Sequence, residues 1–184
     1  MPALRADLLQ MPPPSWSARA LEIDPGLAEA HAMLAFLRFI CDAIRVIELD
    51  PHFAMAHATL GWAHLLNGMP DQGLAALRTA VSLAPESTLF LAQLGQALAL
   101  AGRSEPAREV LRRLEELSGQ RYVSPYHMAY VYTGLGEQER AMDWLERAYE
   151  ERAGGVYGIK GSFLFRSLRE HSRFRALLGK MNLA

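Results

Sequence analysis

Large apolar residues recur every three or four positions along this chain, in stretches of about a dozen, separated by short breaks that carry glycine or proline. That period is the helical one. "FAMAHATLGWAHLLNG" (53–68) sets large side chains on one face and leaves room for a close neighbour at Ala58 and Gly61. Gly68 then ends the helix, because glycine accepts the left-handed conformation past the last turn. "PDQGLAALRTAVSLAP" (70–85) opens on proline, suited to a helix start, and turns Leu74, Leu77, Ala80 and Val81 inward before Pro85 closes it. The two stretches predict a pair of short antiparallel helices.

The pair comes back. Pro51 and Pro85 lie 34 residues apart, and so do Gly68, Gly102 and Gly136 in succession. Leu60-Gly61, Leu94-Gly95 and Met128-Ala129 keep the same step, as do Leu77, Leu111 and Leu145. Four position classes agree on one period. A single pair cannot bury its own apolar face, so the units must stack.

On these residues the chain resembles a tetratricopeptide-repeat array. The second repeat supplies Leu60, Gly61, His64, Gly73, Leu77, Ala80 and Pro85 of that signature; the third supplies Leu91, Leu94, Gly95, Leu98, Ala107 and Leu111, with Leu114 for the usual small residue. The fourth supplies Met128, Ala129, Tyr132, Ala141, Leu145 and Ala148. His57 and Pro125 replace a frequent tryptophan, and Gly119 and Ala153 a frequent proline. The resemblance implies an all-α fold: an alpha-alpha superhelix, or solenoid, of three to four helix-turn-helix repeats with a C-terminal capping helix. The expected layout is an N-terminal extension over 1–15, a partial repeat over 16–27, an irregular repeat over 28–53, repeats over 54–87, 88–121 and 122–153, and a glycine-rich turn with the capping helix over 154–184.

The ends depart from the rhythm. "SARALEIDPG" (17–26) matches only the second helix of a unit, as in an array joined midway. From Pro25 to Pro51 is 26 residues, eight short of the step, and no glycine or proline follows Gly26 before Pro51. Residues 26–50 therefore form either shortened helices around a tight turn near Cys41-Asp42, the favoured form, or one helix roughly 36 Å long. The second form would leave apolar faces open and invite domain swapping or a homodimer through this first repeat. "GGVYGIKGSF" (154–163) breaks the helical pattern. "SLREHSRFRALLGKM" (167–181) restores it, with Leu168, Phe174, Leu177 and Leu178 on one side. This layout is similar to the C-terminal arrays of bacterial signalling proteins, which follow a kinase, a cyclase or a winged-helix domain.

Composition narrows the chemistry. Hydrophobic residues make up 51% of the chain and the formal charge is −1, which is ample for a core and disfavours a broad nucleic-acid surface. The single cysteine, Cys41, fits a reducing, cytoplasmic setting, and no apolar run is long enough to span a membrane. His57 and His64 stand seven apart on one helix, not the three or four of a helical ligand pair, and His31 shares the repeat position of His57, so both read as packing between helices rather than as metal ligands. Gly154, Gly155, Gly158 and Gly161 follow no strand and make no phosphate loop. Glu146, Glu150 and Glu151 alternate with Arg147 and Arg152 as surface ion pairs do. No catalytic residue, metal or cofactor is expected, and the chain does not read as an enzyme.

In the family that the chain resembles, the first helix of each unit lines an inner groove. The groove candidates this implies are Phe36; Trp62, Leu65 and Leu66; Gln93 and Gln96; and Tyr126, His127 and Tyr130. Leu65 and Leu66 serve equally well as packing between units. The expected partner is a protein: a peptide or helix gripped by apolar and amide contacts. Where family members clamp a chaperone's terminal carboxylate with cations, this chain has Ala32, Phe36, Thr59, Leu89 and Gln93, so no such tail is expected to bind. Self-assembly through the irregular repeat is the alternative expectation.

Overall fold

The computed structural model describes residues 40–183, and among them every regular element is a helix. The described residues divide into two compact units, one up to Ala80 and the other from Val81.

In the first unit, residues 40–49 are helical (α1), followed by α2 (Ala54–Leu66) and the start of α3 (Pro70–Leu83). Cys41 and Asp42 lie inside α1, so the tight turn expected near them does not fall on those two residues; residues 1–39, with the N-terminal extension, the partial repeat and Phe36, lie outside the described residues. The seam at Asp50-Pro51 has a clear cause. Asp50 N–H makes the last helical bond, to Val46 O at 2.8 Å, and the next residue has no N–H to give. The Asp50 carboxylate accepts from His52 N–H at 3.0 Å, and His57 Nε2 donates to Pro51 O at 2.8 Å, clipping α2 to the turn. Trp62, Leu74, Leu77 and Ala80 fill the core of this unit. Helices α2 and α3 touch through glycine: a Cβ on Gly73 would stand 2.7 Å from Gly61 O, and one on Gly61 would stand 3.0 Å from Gly73 O.

The second unit continues the rhythm with α4 (Thr88–Leu100), α5 (Ser104–Ser118), α6 (Pro125–Gly134) and α7 (Gln138–Glu150). Helix α4 packs on α5 and α6, and α6 packs on α5 and α7. Paired helices thus stack on paired helices, an all-α helical repeat. Pro125, in place of a tryptophan, takes the first position of α6, where its missing N–H costs nothing. Because neighbours cover α6 on several sides, its buried set runs almost unbroken from Pro125 to Thr133.

The 34-residue step has a geometric counterpart. Gly68, Gly102 and Gly136 take φ of +73°, +75° and +74°. At each, the glycine N–H bonds three residues back and the next N–H five back: to Leu65 and His64, to Ala99 and Leu98, to Thr133 and Tyr132. Arg152 and Asn182 close α7 and the last described helix with the same pair of bonds, without glycine.

Beyond α7, the glycine-rich break is not a loose turn. It is a 3-10 turn at Gly154–Gly158 that packs on α7 and a second at Phe163–Leu168 that packs on α6, with Val156, Ile159, Phe165 and Leu168 buried. Helix α8 (Ser172–Lys180) then buries Phe174 and Leu177 and packs on α7.

Candidate functional site

The residues that converge lie in the second unit, where α4 and α6 meet the second 3-10 turn. Gln96 is 1% exposed. Its Nε2 donates to Leu164 O at 2.8 Å. Its Oε1 is buried with no donor in reach, and so is the Oε1 of Gln93, one turn earlier on the same face of α4. At the start of α7, Gln138 Nε2 reaches Ser167 O at 3.3 Å. Two glutamine amides therefore hold the backbone carbonyls of a short peptide stretch.

Its side chain is held by rings. Tyr126 and Tyr130, four apart on α6, meet edge to face with centroids 4.8 Å apart. The Phe165 ring lies 5.3 Å from each, nearly parallel to Tyr130 and tilted to Tyr126, and is completely buried. The backbone follows closely: a Cβ on Gly155 would come within 2.5 Å of the Tyr126 ring. Burying a phenylalanine contributes about 1.5–3 kcal/mol and each well-placed ring pair about 0.5–1.5 kcal/mol more. The amide bond to Leu164 adds about 0.5–1.5 kcal/mol. The rings therefore supply most of the hold, and the amide fixes direction.

The site carries no charge at neutral pH. Burial pushes the phenols of Tyr126 and Tyr130 up, Tyr130 much the further, so both stay protonated and can donate. His127 shares a 2.9 Å hydrogen bond with Thr88, tying α6 to α4, and burial holds its imidazole down at about 4, so that it is neutral at pH 7.

Set against the expected groove, the placement differs. Gln96, Tyr126 and Tyr130 are brought together, but they are buried rather than lining an open face: Leu164 and Phe165 meet them, Gly134 of α6 backs Gln96, and Gly155 backs Tyr126. Gln93 and His127 are half-buried. Trp62 is buried within the first unit, where helix packing claims it; of its neighbours in sequence, Leu65 is half-buried and Leu66 is exposed. Leu164, Phe165 and Gln138 were not among the expected residues. The run Phe163-Leu164-Phe165, directly after the glycines, was the signal available.

A second feature lies on α7. Glu139, Asp143 and Glu146 share one face, and Arg173 of α8 bonds to all three at 2.9, 2.7 and 2.9 Å. Those bonds, with one from His171, hold the Glu139 carboxyl down and the Arg173 guanidinium up. The network docks α8; Arg147 pairs with Glu151 instead. A separate pocket is lined by Arg121, Tyr122, Trp144 and Arg147. Among the described residues, no cluster of histidine, cysteine and carboxylates could hold a metal ion, and no helix is long and apolar enough to cross a membrane.

No curated protein matches the chain. A family model described as tetratricopeptide repeat matches residues 126–153, which is α6 and α7 together with both tyrosines of the site. That match, with the repeated helix pairs around it, supports reading the chain as a tetratricopeptide-repeat protein, of a class that serves in general as a protein–protein interaction scaffold.

Proposed function

We propose that this chain is a non-enzymatic interaction scaffold that takes a short peptide segment of a protein partner on the α4–α6 face of its second unit. One observation carries the reading: Gln96, Tyr126 and Tyr130 already hold a peptide carbonyl and an aromatic side chain in the manner a bound segment would require. The uncharged set makes recognition depend on ring and amide contacts, so affinity should vary little with salt. Gln93 and Gln96 offer amides and no cation, which supports the expectation that chaperone tails are not the ligand. The C-terminal layout supports a setting in bacterial signalling, and the single Cys41 supports a reducing, cytoplasmic compartment.

A peptide-display selection against the intact chain tests this. Enriched sequences should share an aromatic residue, and their bound contacts should map to α4 and α6. A selection that enriches nothing, or peptides that map to the Tyr122–Trp144 pocket instead, would overturn it.

A homodimer through the first repeat is the second reading. It is favoured by Leu49, 80% exposed at the end of α1, and by Phe53, 48% exposed beside it. Light scattering across a dilution series separates the two: a mass that stays monomeric removes the dimer.

A further inference from the structure

We infer that residues 154–168 are an intramolecular strap that occupies the peptide site of α4 and α6, and that the partner segment displacing it brings an aromatic side chain for Tyr126 and Tyr130 and backbone N–H donors for Gln93 and Gln96. The inference rests on the reading of that face as a peptide site and adds what fills it and what empties it.

The strap is fixed at both ends. Helix α7 precedes it, and α8 follows, docked through Phe174, Leu177 and the Arg173 network. It can lift from α4 and α6 while those anchors stay in place. Its own conformation is two short 3-10 turns, whose hydrogen bonds are poorer than those of an α-helix. Gly154, Gly158 and Gly161 have open space around them, and Tyr157 and Phe163 already face solvent at 61% and 45% exposure. These features favour a segment that opens locally rather than with the whole unit, against the cost of exposing the buried Val156, Ile159, Phe165 and Leu168.

As a ligand the strap is incomplete. It gives Gln96 an acceptor but leaves the buried Oε1 atoms of Gln96 and Gln93 without donors. A buried acceptor without a donor is costly, and satisfying one is worth about tenfold in affinity. A partner that presents N–H groups beside its ring gains that factor over the strap, and it displaces the strap once its concentration makes up the rest of the strap's effective concentration, of order millimolar for a short tether. What must leave is Phe165, and what must arrive is another ring.

The probe is the strap's own sequence, a synthetic peptide of residues 160–169, Lys-Gly-Ser-Phe-Leu-Phe-Arg-Ser-Leu-Arg, titrated calorimetrically into the full chain. The wild type should bind it weakly. Phe165→Ala, which empties the cage, should bind it about tenfold or more tightly, as the added ring refills the space. A probe with alanine at the position of Phe165 should show no such gain, and adding Gln96→Leu to the variant should remove it. If the wild type binds as tightly as Phe165→Ala, the strap does not gate the site and the inference falls, although the peptide site stands. If neither binds and both keep their helicity, the α4–α6 face is not a peptide site and the underlying reading falls as well. Should Phe165→Ala unfold, hydrogen exchange of the wild type decides. Exchange at Val156, Ile159 and Leu164 amides through an opening smaller than that of α6 and α7 supports the strap. Exchange only on global unfolding overturns it.

Discussion

Arg152 sits at φ +54°, where three earlier helix ends use glycine. A side chain in the left-handed region costs about 1 kcal/mol relative to glycine. Arg152→Gly should therefore stabilise the protein by about 0.5–1 kcal/mol in urea titrations, and Gly102→Ala should destabilise it by about 1 kcal/mol or more. An unchanged midpoint for both would mean that these ends are not held left-handed. His127 makes a second residue-scale prediction. Its folded value, about 4, lies below the ordinary 6.5. The unfolded chain thus takes up the proton first as pH falls, so the stability this residue gives is full above 6.5 and is lost on descending toward 4. Between pH 7 and pH 5 the loss should be about 1–2 kcal/mol. His127→Gln keeps a partner for Thr88 and should flatten much of that slope. His64, also held down by burial, contributes in the same direction and remains. A slope that the substitution leaves unaltered would contradict the buried, neutral imidazole.

At the scale of elements, the recurrence of Gly68, Gly102 and Gly136 was legible because each glycine both stops a helix and adopts the backbone that only glycine adopts easily. The ends of α2, α4 and α6 follow from it. Residues 154–168 were not legible, since 3-10 turns carry no 3.6-residue signature and glycine reads as punctuation. For the same reason Tyr126 and Tyr130 read as open: what covers them, Phe165, is more than thirty residues away in sequence and in no repeat position. The ion network was half legible. Helical spacing marks Glu139, Asp143 and Glu146 as one face, but nothing in the repeat announces that Arg173 will meet all three. Removing that cation leaves three carboxylates in mutual repulsion. Arg173→Met should speed hydrogen exchange in α8 by about fivefold at low ionic strength, with the difference shrinking as salt is added. Equal exchange at all salt concentrations would mean that Phe174 and Leu177 alone dock the helix.

At the scale of the molecule, the second unit is where the repeat and the proposed peptide site coincide: α6 and α7 match the tetratricopeptide model, and the tyrosines of α6 belong to both. The repeat explains why α4 and α6 lie side by side; the strap explains why the face they share is covered. The most direct test is nuclear magnetic resonance of the intact chain as a display-selected aromatic peptide is added, read at the Gln96 side-chain amide and the Tyr126 and Tyr130 rings. The prediction is that these signals move together with those of Leu164 and Phe165, which shift toward the values of a solvent-exposed segment. Peptide binding that leaves Gln96 and both tyrosines unmoved, with Phe165 still buried, would contradict it.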